Sequence, residues 1–306
     1  MLTPPSLTMF VSGSELVVLL FALITLAGDA WFLLVGLVML YWIGPRYIDD
    51  ARPVAAVGVG LATLGLAAVL GIKTATSIPR PAMTPVDPSV YPPLIGSFVD
   101  GEIDSAGFTF PSGHATAATV VYGGLGLLLS VGRRRTRYLI AGSCIALISL
   151  SRVVLEVHYP RDVLAGIGLG SVLVAIGITV ARDGDHLRPE RLFVVAGVAA
   201  VIGFGIAIDA GHSREILQGA IGIGTAISAT AVWYKLGDRL VAAPPVSLPV
   251  AIGGLAVAGG LWIGAYVGVL STVGAVAASA VAVGIILTLP LVAERRQKRK
   301  PSVVEA

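Results

Sequence analysis

The 306-residue chain holds one cysteine, Cys144, inside an apolar run, which excludes an intramolecular disulfide and any thiolate metal cluster. Charged residues make up only 13% of it, against 56% hydrophobic ones. That is too little polar surface for a soluble domain of this size, so the composition places the chain among membrane proteins. No basic residue occurs in the first fifteen positions, so no cleavable leader is expected there. No run of carboxylates with metal-ligand spacing is present either, and no nucleic-acid partner is expected.

What the chain has in abundance is long apolar segments. A hydrocarbon core of about 30 Å asks for roughly 17–25 apolar residues per helix. Ten candidate spans follow: about 9–27, 30–45, 53–72, 112–131, 138–156, 161–181, 191–209, 215–235, 247–267 and 270–293. Only Gly28 and Asp29 separate the first two, so 9–27 reads either as a span or as an amphipathic segment lying in the interface.

The basic residues test this map. Numbering the connections alternately, one side collects Arg46, Arg52, Arg133, Arg134, Arg135, Arg137, Arg182, Arg188, Arg191, Lys235, Arg239, Arg295, Arg296, Lys298, Arg299 and Lys300, which is 16 of the 21 lysines and arginines. By the positive-inside rule that side is expected to be cytoplasmic, with the C-terminus on it. The other side keeps only Lys73, Arg80, Arg152, Arg161 and Arg214. Interfacial snorkelling explains a single stranded cation such as Arg161 or Arg214, but Lys73, Arg80 and Arg152 share short polar islands and point to function.

The first island, residues 73–81, puts Lys73 and Arg80 seven residues apart, with Pro79 and Pro81 ending the helix between them. Two such cations can converge on one polyanion. The second island is Pro111-Ser112-Gly113-His114, at the start of an apolar helical run. Ser112 is a good N-cap, Gly113 admits a close ligand, and a helix N-terminus suits phosphate. The third, residues 151–162, carries Ser151, Arg152, His158 and Asp162. Pro160 is expected to open the next helix and to bring Asp162 into its first turn, where the carboxylate can accept from one nitrogen of His158 and leave the other as a nucleophile. All three islands fall on the side poor in cations.

The set K-x6-R-P, P-S-G-H and S-R-x5-H-x3-D, in this order and without a departure, resembles the signature of the type 2 phosphatidic-acid-phosphatase superfamily, which also includes glucose-6-phosphatase and vanadium haloperoxidases. The resemblance covers about residues 9–181. It implies an all-α, polytopic membrane helical bundle, with a six-helix phosphatase core in 1–185. About four extra transmembrane helices and a basic cytoplasmic tail occupy 186–306. It further implies a metal-independent phosphatase without cofactor, in which His158 attacks phosphorus, Asp162 fixes its tautomer and His114 protonates the leaving oxygen. Lys73, Arg80, Ser112, Gly113 and Arg152 would hold the phosphate. Each such charge-assisted contact is worth on the order of 2–4 kcal/mol in the transition state.

The substrate expected on this reading is a phosphorylated lipid at the extracytoplasmic face of the cell membrane. It would be a polyprenyl diphosphate, phosphatidate or phosphatidylglycerophosphate-like lipid. A lipid phosphotransferase and a lipid-binding or transport protein with a vestigial site are the alternatives. Residues 82–110, with several prolines and Tyr91, Phe98, Phe108 and Phe110, read either as an apolar-edged lid or as a plain connector. His186 reads as part of a solvated loop. His212, beside Asp209, Arg214 and Glu215, lies on the island side and either lines the entrance or merely borders it. For the last four spans three roles stay open: a homo-oligomer scaffold, a wider lipid groove, or a small transport-like module. The tail past Glu294 reads as an anchor for anionic lipid.

Overall fold

A computed structural model describes residues 13–81, 85–104 and 106–298. Residues 1–12, 82–84, Ser105 and 299–306, which the sequence expectations included, lie outside the described residues. The helices are α1 (Gly13–Thr25), α2 (Ala30–Ile43), α3 (Ala51–Thr76), α4 (Pro93–Ile103), α5 (Gly113–Ala118), α6 (Gly124–Leu128), α7 (Arg134–Val154), α8 (Pro160–Ala181), α9 (Pro189–Ala210), α10 (Ser213–Ala242), α11 (Leu248–Tyr266) and α12 (Thr272–Lys298). The protein is a helical membrane bundle, as expected. Its only strands among the described residues, Arg182–Asp183 and His186–Leu187, form a two-residue hairpin that leaves His186 exposed.

Among the described residues, seven helices are long and apolar enough to cross a membrane: α3 and α7 to α12. The other three expected spans take different forms. The first two are a pair bent by 48° at Gly28 and Asp29, because a glycine and an acid interrupt the apolar run. The fourth is interrupted by a π turn at Thr119–Gly123 between α5 and α6, an irregularity that hydropathy cannot register.

Connections assigned to one side by alternation meet in space. The 46–52 connection touches the end of α10, where Arg46 donates to the Val246 carbonyl and Arg52 to those of Leu240, Ala243 and Pro244. At the opposite end the Phe108 ring lies against that of His212, tilted by 38° with centroids 5.1 Å apart.

The extra helices do not stand apart. Leu192 and Ala196 of α9 share a buried cluster with Val57, Leu61 and Leu64 of α3. Trp42 and Tyr41 of α2 reach α12, where they donate to the carbonyls of Ile286 (2.7 Å) and Leu287 (3.1 Å). Close packing of these large side chains and their hydrogen bonds hold the helices together, with the small-residue contacts usual between membrane helices.

Candidate active site

The three islands converge, and the local chain geometry explains how. Helix α3 ends at Ser77, whose left-handed backbone (φ 47°) turns the chain out. The next residues form a short bridge, Pro79 to Phe108, and the Thr109 amide donates to the Ile78 carbonyl at 2.8 Å. This pairing brings the Phe108 carbonyl to Lys73, whose Nζ donates to it at 2.8 Å.

Helix α7 ends in a Schellman-type turn. Val157 N–H bonds Arg152 O and Glu156 N–H bonds Val153 O, with Glu156 at φ 57° where glycine is usual. The reversal delivers His158. Pro160 then opens α8 and Asp162 falls in its first turn, where Oδ2 accepts from the Tyr159 amide at 2.9 Å. Island two is tied to island three by the Ser112 amide, which donates to the Asp162 carbonyl at 2.9 Å. Gly166 makes that approach possible, since a Cβ there would stand 2.7 Å from the Ser112 carbonyl oxygen. Ser112 is the N-cap of α5, and Gly113 and His114 begin that helix.

The expected direct bond between His158 and Asp162 is not made. Nδ1 and Oδ2 lie 3.8 Å apart, beyond hydrogen-bond reach. Thr109 stands between them: its hydroxyl donates to Asp162 Oδ2 at 2.6 Å and lies 3.0 Å from His158 Nδ1. A hydroxyl that donates to the carboxylate is left to accept, so Nδ1 carries the hydrogen and Nε2 has the free lone pair. All three side chains are buried. Burial, and then the charges of Lys73, Arg152 and Arg80, hold the His158 ring well below the usual imidazole range. It is therefore neutral and nucleophilic at ordinary pH. The same three cations are those expected to bind phosphate.

Their donors are only partly used. Arg80 Nη1 donates to the Asp104 carbonyl at 2.8 Å, while Arg80 Nε and Arg152 Nε are buried without a partner among the described residues. Arg152 Nη1 donates to Thr25 Oγ1 at 2.8 Å and meets Glu102 Oε2 at 3.4 Å. Burial, then Asp29, pushes the Glu102 carboxyl up to about 7. His114 Nε2 lies 2.8 Å from Asp29 Oδ1.

Sequence reasoning missed Thr109, Asp29 and Glu102. Asp29 did carry a signal, as a lone acid between two apolar runs. Thr109 and Glu102 carried none. The fold also gathers acidic groups that the sequence keeps far apart: Asp29, Glu102 and His114 each offer one ligand atom within 4.8 Å of the others. A divalent cation would find three donors there. The Arg152 guanidinium against Glu102 opposes one, so the trio fits proton handling better.

Part of the 82–110 segment, read as either a lid or a plain connector, is packed against the bundle. Tyr91, Val99 and Ile103, on and just before α4, are buried against Val18 and Ala22 of α1 and Leu155 and Val157 after α7. Arg161 is exposed, over the Tyr159 ring. Far from the islands, an apolar groove between α9 and α10, lined by Phe193, Val201, Ile227 and Tyr234, has no part in this chemistry.

Comparison with known proteins places all three islands in one matched segment. A family model described as the PAP2 superfamily matches residues 53–184. Phosphatidylglycerophosphatase B of Bacillus subtilis (strain 168) is 36% identical over 77 residues, 23% of this chain and 38% of that protein. Lipid A 1-phosphatase of Rhizobium johnstonii (strain DSM 114642 / LMG 32736 / 3841) is 35% identical over 110 residues, 33% of this chain and 43% of that protein. The matches thus span less than half of either relative. No solved structure matches.

Proposed function

We propose that this chain, whose residues 53–184 belong to the PAP2 superfamily, hydrolyses the phosphomonoester or diphosphate of a membrane lipid at the extracytoplasmic face through a phosphohistidine on His158. The observation that carries the reading is the buried His158 ring, oriented through Thr109 by Asp162 and lying in the field of Lys73, Arg80 and Arg152.

The geometry supports the following sequence. Nε2 of His158 attacks phosphorus and the bond to the leaving oxygen breaks, while His114 gives that oxygen a proton. Lys73, Arg80, Arg152 and the Ser112–Gly113 helix start hold the phosphoryl oxygens. Water, deprotonated by His114, then attacks phosphorus and releases His158. Phosphoryl transfer depends on positioning and electrostatic stabilisation, and these cations supply both, so no divalent cation is needed. The two relatives, a phosphatidylglycerophosphatase and a lipid A 1-phosphatase by name, support a lipid phosphate as substrate. The excess of cations on the opposite loops supports the outward placement of the site. The 186–306 helices are read as an integrated support for α2 and α3, since they pack on both.

The test is phosphate release by purified protein from polyprenyl diphosphate, phosphatidate, phosphatidylglycerophosphate and glucose 6-phosphate, wild type against His158→Ala. A lipid in the panel is expected to be hydrolysed by the wild type, with no release by the variant and no effect of EDTA. A strict Mg²⁺ requirement, or full activity in His158→Ala, refutes the mechanism.

A further inference from the structure

We infer that Asp29, which lies outside the family-matched segment, is a positioning residue that orients His114 and stabilises its protonated form for proton transfer to the leaving group; this rests on the phosphatase reading above. Three observations carry it. Asp29 Oδ1 lies 2.8 Å from His114 Nε2, and its other oxygen accepts from Trp31 Nε1 at 3.1 Å, so the carboxylate is aimed from both ends. The bend that carries Asp29 is fastened to the helical run that the second island opens. Tyr122, in the π turn after α5, donates its hydroxyl to the Ala27 carbonyl at 2.8 Å. The bend also needs a residue without a side chain, because a Cβ on Gly28 would come within 2.5 Å of Ile148 and 3.1 Å of the His114 ring.

The chemistry follows from the donor inventory. A carboxylate only accepts, so the neutral His114 ring carries its hydrogen on Nε2 and presents Nδ1. When Nδ1 is also protonated, Asp29 stabilises the imidazolium, and the Nδ1 proton is the one delivered to the leaving oxygen as the phosphorus–oxygen bond breaks. The ring returns to neutral with Nε2–H still on Asp29, and Nδ1 is free to take the proton of the attacking water. Asp29 thereby serves His114 as Thr109 and Asp162 serve His158. The site contains two oriented histidines with opposite duties.

A general acid matters only for a poor leaving group, and this separates positioning from structural support. The experiment measures single-turnover phosphoenzyme formation by wild type and Asp29→Asn in detergent. One substrate is the lipid that shows His158-dependent release in the panel above. The other is p-nitrophenyl phosphate, whose phenolate departs without a proton. The expected loss in Asp29→Asn is about 100-fold for the lipid and less than about fivefold for the aryl ester, in the range typical of general-acid catalysis. Equal losses on both substrates, or none on either, overturn the inference while leaving the His158 reading intact. ¹⁵N-histidine NMR of the wild type supplies a readout independent of turnover. An Nε2–H tautomer of neutral His114 is expected, and an Nδ1–H tautomer refutes the assignment. Failure of every lipid to show His158-dependent release overturns the phosphatase reading and this inference with it.

Discussion

Thr109 separates His158 from Asp162, with its hydroxyl 2.6 Å from the carboxylate and 3.0 Å from the ring. The carboxylate therefore orients the imidazole through one intervening hydroxyl. Thr109→Val keeps the shape and removes the bridge, leaving Nδ1–H and a buried carboxylate oxygen without their partner. The turnover number is expected to fall about 100-fold, the order of loss seen when a reacting group is misaligned. Thr109→Ser is expected to keep most of the wild-type rate. Steady-state phosphate release by the two variants checks this, and equal rates in both would remove Thr109 from the relay.

The islands were legible because each combines residue types with a chemical use at a spacing that local rules interpret: Pro160 before Asp162, Ser112 before Gly113. What surrounds them was less so. Asp162 lies four residues after His158, which suggested a direct contact. The left-handed Glu156 and the first turn of α8 instead set the ring 3.8 Å away. Length and hydropathy register neither a 48° bend nor a π turn, so the first, second and fourth expected spans took other forms. Glu102 and Asp29 lie more than seventy positions apart in the chain, and no periodicity brings them together. Arg52 was counted as a topological charge, yet it is buried and bonded to the backbone.

That burial yields a stability prediction. Arg52 donates to the carbonyls of Tyr41, Leu240, Ala243 and Pro244 at 2.6–3.2 Å and so covers the carbonyl end of α10. A single ammonium cannot span four acceptors in this fan. Arg52→Ala is expected to lower stability by about 3 kcal/mol, and Arg52→Lys to recover only part. Thermal unfolding in detergent measures both, and phosphate release per folded molecule is expected to stay at the wild-type level.

Glu156 offers a change of opposite sign. Its φ of 57° costs about 1 kcal/mol or more for a residue with a Cβ. Glu156→Gly relieves that cost at a position where helices commonly end on glycine. The unfolding midpoint is expected to rise by the equivalent of roughly 1 kcal/mol, less the entropy that glycine adds to the unfolded chain. A fall in the midpoint would mean that the carboxylate makes a stabilising contact that outweighs the backbone strain.

The Glu102–Arg152 pair turns the site into a pH-dependent binder. Burial, and the neighbouring Asp29, raise the Glu102 carboxyl to about 7. Below that pH it is neutral, and the Arg152 guanidinium is available to a phosphate. Above it the carboxylate pairs with Arg152 at 3.4 Å and competes with substrate for the same donors. KM is therefore expected to rise as pH climbs through about 7, because the charged form of Glu102 is the competing one. Glu102→Gln cannot ionise, so the ratio of wild-type to variant KM isolates this effect from the ionisation of the substrate's own phosphate. That ratio should stay near its acid-limit value below pH 7 and grow above it. Initial-rate measurements from pH 5.5 to 8.5 decide the matter: a ratio that does not change with pH would mean that Glu102 holds Arg152 in place without competing for it.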